Sequence, residues 1–249
     1  MTGPAAVLPS AQPGYYGKLP ARGDFVGRRL AKPFLEAWDP WLQAGIAASR
    51  GALGEAWLDL YLHGPVWRFA FTAQVAGPAA TAGVLMPSVD SVGRYFPLTI
   101  AAETAGAVPF ALAAEAAAWF QAAEDLALGC LEEPFDLEIF DRRVAALGAP
   151  RVPGGPGPSD EAAAEAGGVA ARIPEGGGFA EAQGLLADRI AVLAWSRYSL
   201  WWTEGAQHVP PIARAFPGLP EAESFKTLLT FEPAAAAGPT AAVAAQAAP

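Results

Sequence analysis

The chain has 249 residues, 53% of them hydrophobic and 16% charged, with a net charge of −9 at pH 7 and an isoelectric point near 4.7. That acidity excludes a protein that works by neutralising nucleic-acid phosphates or by lying on anionic lipid, because both need a basic face. The single cysteine, Cys130, excludes an internal disulfide framework.

Cys130 falls on the apolar side of an Ala-rich helix and reads as a small buried hydrophobe rather than a reactive thiol. Nothing before Lys18, the first basic residue, resembles a secretory signal, and no run of eighteen uninterrupted apolar residues occurs. Together these predict a cytoplasmic address. Eight tryptophans and 13 phenylalanines supply enough apolar area for a sizeable core.

Residues 1–13 and 231–249 are rich in Ala, Pro and Gly and read as disordered tails. Between them, 14–230 reads as a single α/β domain, interrupted at 149–178 by a Gly/Pro-rich flexible insertion. The stretch "YYGKLPARGDFVGRR" (15–29) opens the domain. Its Arg22-Gly23-Asp24 is expected to form a tight turn after a first short strand, with Gly23 relieving the backbone. An adhesion-ligand role fails on compartment, since the chain has neither a signal nor a disulfide.

Next, "KPFLEAWDPWLQAGIAASRGAL" places Phe34, Trp38, Trp41, Leu42 and Ile46 on one helical face. Pro40 leaves two readings: a first turn ending at Trp38, or a helix capped by Asp39 with Pro40 at its first position. "EAWLDLYL" (55–62) predicts a short helix, and the alternation in "VWRFAFT" (66–72) predicts a strand. "TAGVLMPS" (81–88) and "RYFPLTIAAE" (94–103) predict an antiparallel pair, with Pro97 near a strand start or on an edge. Helices are expected over 109–131, 136–147, 180–195 and near 221–230, and a strand over "RYSLWWTEG" (197–205). The fold class is α+β: an antiparallel (mixed) sheet of about five strands with helices packed on both faces.

Motif chemistry is sparse. The two histidines, His63 and His208, stand in no ligand spacing, so no metal is expected. There is no Walker A frame, no GxGxxG between strand and helix, and no GxSxG elbow, so no cofactor is expected. Ser88 and Asp90 after a strand resemble a hydrolase fragment, but a triad would need a distant histidine. In Trp201-Trp202 neighbouring side chains point to opposite faces, so one is expected in the core and the other on a cleft wall.

Four separated motifs carry a resemblance: "GKLPARGDF", the Trp-rich helix, "GVLMPSVDSVGRYFPL" and "SLWWT". In this order they are similar to the TagF family, also called ImpM, over about 14–148 and 197–230. The resemblance implies an accessory protein of the bacterial type VI secretion system with no established catalytic activity. It implies post-translational repression of secretion, working against the forkhead-associated scaffold protein of the apparatus. Some relatives are fused to the pathway's phosphatase; this chain has no such domain and is expected to act as a separate polypeptide. The partner-binding candidates are Lys18, Arg22, Asp24, Ser88, Asp90, Arg94, Trp201, Trp202 and Glu204, expected to converge at one sheet end. Two alternatives stay open. One is a hydrolase or phosphatase-like enzyme using Asp24, Ser88, Asp90 and Arg94; the other is a structural component of the secretion machine.

Overall fold

The computed structural model describes residues 12–104, 106, 108–152, 164–165, 168–171, 173 and 178–231. In chain order the elements are β1 (Gly14–Gly17), β2 (Val26–Arg28), α1 (Lys32–Leu53), α2 (Trp57–Leu62), β3 (Trp67–Phe71), β4 (Thr81–Met86) and β5 (Leu98–Glu103). Then come α3 (Pro109–Glu115), α4 (Ala117–Leu128), α5 (Leu137–Ala146), β6 (Ala164–Glu165), β7 (Gly168–Val169), α6 (Phe179–Trp195), β8 (Ser199–Thr203) and β9 (Ile212–Phe216). The final helix, expected near 221–230, is a 3-10 helix over Ala222–Leu228. The tails and most of 149–178 lie outside the described residues. Within that insertion, β6 and β7 form a two-residue antiparallel pair.

The main sheet has seven strands rather than five, in the order β2-β1-β5-β4-β3-β8-β9. Every pairing in it is antiparallel. The two strands that sequence reading missed are the edges, β2 and β9. Both are mostly solvent-facing or half-buried, so neither has the apolar alternation that marks an inner strand.

Helices cover both faces, and each face has its own core. On one side α1 lays Phe34, Trp38, Leu42 and Ile46 against Trp67, Phe69, Phe71, Leu85 and Trp201, with the 3-10 helix adding Phe225 and Leu228. On the other, α3, α4 and α5 place Leu112, Phe120, Leu126, Phe140 and Val144 over Tyr15, Ala70, Val84, Leu98 and Ile100. Indole donors in the first core are satisfied: Trp38 Nε1 donates to Thr99 Oγ1 at 2.9 Å, and Trp67 Nε1 to the Leu228 carbonyl at 2.8 Å.

Helix α1 runs through Pro40 without a break, so neither sequence reading of that proline holds. An interior proline costs about 3 kcal/mol. Burying four large apolar side chains, two on each side of Pro40, is worth about 1.5–3 kcal/mol apiece. Tertiary packing wins. The expected 109–131 helix is divided at Ala116, the C-cap of α3. Asp136 caps α5 as a sequence reader would hope, accepting from the Glu138 and Ile139 amides. Burial pushes the Cys130 thiol up to about 12, in keeping with an inert core residue. Among the described residues, no helix is long and apolar enough to cross a membrane.

Candidate functional site

Two loops leave the same end of the sheet: 18–25 between β1 and β2, and 87–97 between β4 and β5. Strand β5 runs between β1 and β4 and pairs with both, so the loops arise about 10 Å apart at ordinary strand spacing. The Lys18 ammonium reaches Asp90 Oδ2 at 2.5 Å, with both side chains almost fully buried. Arg94 Nε contacts the same oxygen at 2.7 Å. The other carboxylate oxygen accepts from the Val92 and Arg94 amides at 3.1 and 2.8 Å. One carboxylate thus holds an ammonium, a guanidinium and two amides.

Burial alone would raise the Asp90 carboxyl. The hydrogen bonds from Lys18 and Arg94 outweigh it and hold the group well below the usual carboxylate range. Further contacts close the loops on each other. Ser88 Oγ donates to the Lys18 carbonyl at 2.8 Å, and the Ser91 amide to the Arg22 carbonyl at 3.0 Å. Arg94 donates to the Gly23 carbonyl and lies 3.9 Å from Asp24.

The turn itself differs from expectation. It is closed by the Arg22 amide on the Leu19 carbonyl at 3.0 Å, one step before Arg-Gly-Asp. Gly23 is not among the residues with positive φ, and a Cβ there would meet only Ser91 Oγ at 3.4 Å. The glycine under constraint is Gly17, at φ 142, where a Cβ would fall 2.1 Å from the Pro97 carbonyl oxygen. Its partner loop comes too close for any side chain.

The structure therefore brings together Lys18, Arg22, Asp24, Ser88, Asp90 and Arg94. Lys18, Ser88 and Asp90 are buried, so they brace the loops; Arg22, Asp24 and Arg94 are exposed. Trp201, Trp202 and Glu204 share the sheet end but not the cluster, because β3 lies between β4 and β8. Trp201 is wholly buried, parallel to Trp38 at 6.0 Å between ring centroids. Trp202 packs edge-on to Phe120 on the opposite face at 4.6 Å. Glu204 pairs with Arg68, which also holds Glu124. The two tryptophans point to opposite faces as expected, but neither forms a cleft wall: Trp202 packs against the second core and lines none of the principal clefts.

Phe25 went unnoticed in the sequence. It is 48% exposed, stacks on Tyr16 at 5.6 Å, meets Phe96 edge-on at 4.8 Å and lies 5.1 Å under the Lys18 ammonium. An apolar ring directly after Arg-Gly-Asp was the available signal. With Val92, 67% exposed, it gives the loop pair an apolar element beside its charges. The principal clefts lie elsewhere, mainly alongside α4 and α5, and none is lined by Ser88, Asp90 or Arg94.

A second polar cluster also escaped sequence reading. Asp59 and His63, one turn apart at the end of α2, meet His208 from the turn after β8. His63 Nδ1 lies 3.0 Å from Asp59 Oδ1, and His208 Nε2 lies 3.2 Å from Asp59 Oδ2.

The family of type VI secretion system-associated proteins described as the TagF N-terminal domain matches residues 14–147. That span covers β1 to α5 and both loops of the first cluster. The chain belongs to the TagF family. A crystal structure of PA0076 from Pseudomonas aeruginosa PAO1 superimposes with a TM-score of 0.74 at 39% sequence identity. The match covers 88% of this TagF chain and 94% of that one, so it extends past the family match into the second half. No curated protein matches this TagF chain.

Proposed function

We propose that this type VI secretion-associated protein is a non-enzymatic cytoplasmic regulator that represses secretion after translation by contacting the forkhead-associated scaffold. The observation that carries the reading is the buried Lys18–Asp90 pair. It fastens two loops, both inside the span that matches the family, into one unit whose outer surface offers Arg22, Asp24, Phe25, Val92 and Arg94. A guanidinium, a carboxylate and an exposed ring on a stiff support are the residue types in which interface energy concentrates.

A hydrolase reading draws no support from this geometry. The Ser88 hydroxyl is buried and donates to a backbone carbonyl, and both histidines lie in the other cluster. An activated serine needs a base within hydrogen-bond reach.

Reversing the exposed charges tests the proposal without touching the brace. Arg22→Glu with Asp24→Lys is expected to reduce capture of the scaffold about tenfold or more and to release secretion. The melting temperature should stay within about 2 °C, since exposed substitutions are nearly neutral. Capture at the parental level by the folded double variant would remove this surface from the interface.

A further inference from the structure

We propose that Asp59, His63 and His208 bind a late first-row divalent cation, zinc foremost, as a three-ligand site joining α2 to the turn after β8. The proposal is independent of the scaffold-contact reading.

The chain has two histidines, 145 positions apart, and the fold brings both onto one carboxylate. Each imidazole faces a different oxygen of Asp59, at 3.0 and 3.2 Å. One ligand atom from each residue can be chosen so that all three lie within 4.8 Å of one another. Zinc with bonds of about 2.0–2.2 Å in tetrahedral geometry separates its ligands by roughly 3.4 Å. The carboxylate-to-imidazole separations already approach that value, and displacements of about 1 Å would close the set. All three side chains are at least partly exposed, so they have room to make that adjustment.

The backbones that carry them are fixed from behind. On α2, Trp57 and Tyr61 are buried and stacked at 4.7 Å. Trp57 Nε1 donates to Ser49 Oγ at 2.9 Å, and the Tyr61 hydroxyl donates to the Ser88 carbonyl at 3.0 Å. His208 sits in a turn closed by the Ala206 amide on the Val209 carbonyl at 2.8 Å, and its own carbonyl accepts from the Phe231 amide at 3.0 Å. Asp59 and His63 at i and i+4 share one helix face. Only the side chains need to adjust.

The donor set selects the ion. Two imidazole nitrogens and one carboxylate suit zinc, nickel, cobalt and copper. Magnesium and calcium require mostly oxygen ligands and more of them. Binding takes the lone pair of His63 Nδ1, which now lies 3.0 Å from the Asp59 carbonyl; the ring proton then resides on Nε2. Three protein ligands leave a fourth position for water or for a side chain from another molecule. No local sequence motif announces this site, because one ligand is separated from the other two by ten strands and helices.

Tag-free full-length protein titrated with zinc chloride by calorimetry is expected to give a saturable one-to-one isotherm and a rise in melting temperature, since an ion bound only by the folded state must stabilise it. Magnesium chloride should give neither. Asp59→Asn and His208→Gln should each weaken zinc binding at least about tenfold, while their melts in chelator match the parent. His63→Gln serves as the third test should either of those fail to fold. An absence of saturable zinc binding overturns the proposal. So does zinc binding that persists undiminished in the folded variants, which would place the ion elsewhere.

Discussion

The Asp90 and Asp59 clusters each set a carboxylate between two nitrogen-bearing side chains. Asp90 lies between Lys18 and Arg94, and Asp59 between His63 and His208. The Asp90 side chain is wholly buried, whereas that of Asp59 is 59% exposed. Burial decides what each can do. In the first cluster Lys18 and Asp90 have left water, so both carboxylate oxygens must be matched and the assembly is committed to holding two loops together. In the second, solvent still serves the same groups, and the ligand atoms can change partner at small cost.

The largest expected effect comes from breaking the buried member. Asp90→Ala leaves the Lys18 ammonium buried beside Phe25 without its counter-charge, and should lower the melting temperature by roughly 10 °C or more. Asp59→Asn, measured in chelator, should shift it by less than about 2 °C. Equal losses from the two substitutions would erase the distinction between the clusters.

A third carboxylate sharpens it. Asp188 on α6 is buried and accepts from Tyr198 and from the Phe110 and Ala111 amides at the start of α3. Burial pushes its carboxyl up to about 6, against those hydrogen bonds and the charge of Arg189. It therefore behaves oppositely to Asp90, since no buried cation pairs with it among the described residues. In the unfolded chain its pKa is about 3.9. As pH rises from about 4 to about 6, the unfolded chain loses this proton first while the folded protein retains it. The contribution of Asp188 thus falls with rising pH, by up to about 3 kcal/mol over that window. Urea melts of the parent and Asp188→Asn between pH 4 and 7 should show the parent losing ground to the variant by that order. A flat difference would mean that Asp188 is already ionised in the fold at pH 4.

The smallest effect is expected at the residue the motif makes most conspicuous. Gly23→Ala should change stability by less than about 0.5 kcal/mol, because Gly23 has no positive φ and room for a Cβ. Thermal melts within about 2 °C of the parent would bear this out. A drop of 5 °C or more would show that the Arg94 contact to the Gly23 carbonyl depends on the missing side chain.

Much of the fold was legible because its signals are local. The 3.6-residue spacing of Phe34, Trp38, Leu42 and Ile46, and the alternation of Trp67, Phe69 and Phe71, announce the elements that build the larger core. Pro40 was misleading because a local rule met a helix packed on both sides of it. β2 and β9 were invisible because edge strands expose the positions that would carry a pattern. For the candidate site, the expectation that the two loops leave one end of the sheet held, although β5 lies between the strands that carry them. The inward direction of Lys18 did not, since a lysine is expected in water unless a partner is known. The meeting of His63 with His208 depends on which strand lies next to β3, and no run of residues encodes that adjacency locally.

The strand order has a consequence for how the protein is made. Residues 14–147 carry five of the seven strands, β2-β1-β5-β4-β3, and end them on β3. Arg68 and Trp202 are register partners, so the far edge of β3 waits for a strand about 130 residues downstream. At about 5–20 residues per second of synthesis, the Trp-Arg-Phe-Ala-Phe edge stands unpaired on the ribosome for roughly 7 to 26 seconds. Such an edge is a template for pairing with other chains. The nascent chain is thus most exposed to misassociation before β8 emerges, and the Ser-Leu-Trp-Trp-Thr segment is what ends that interval.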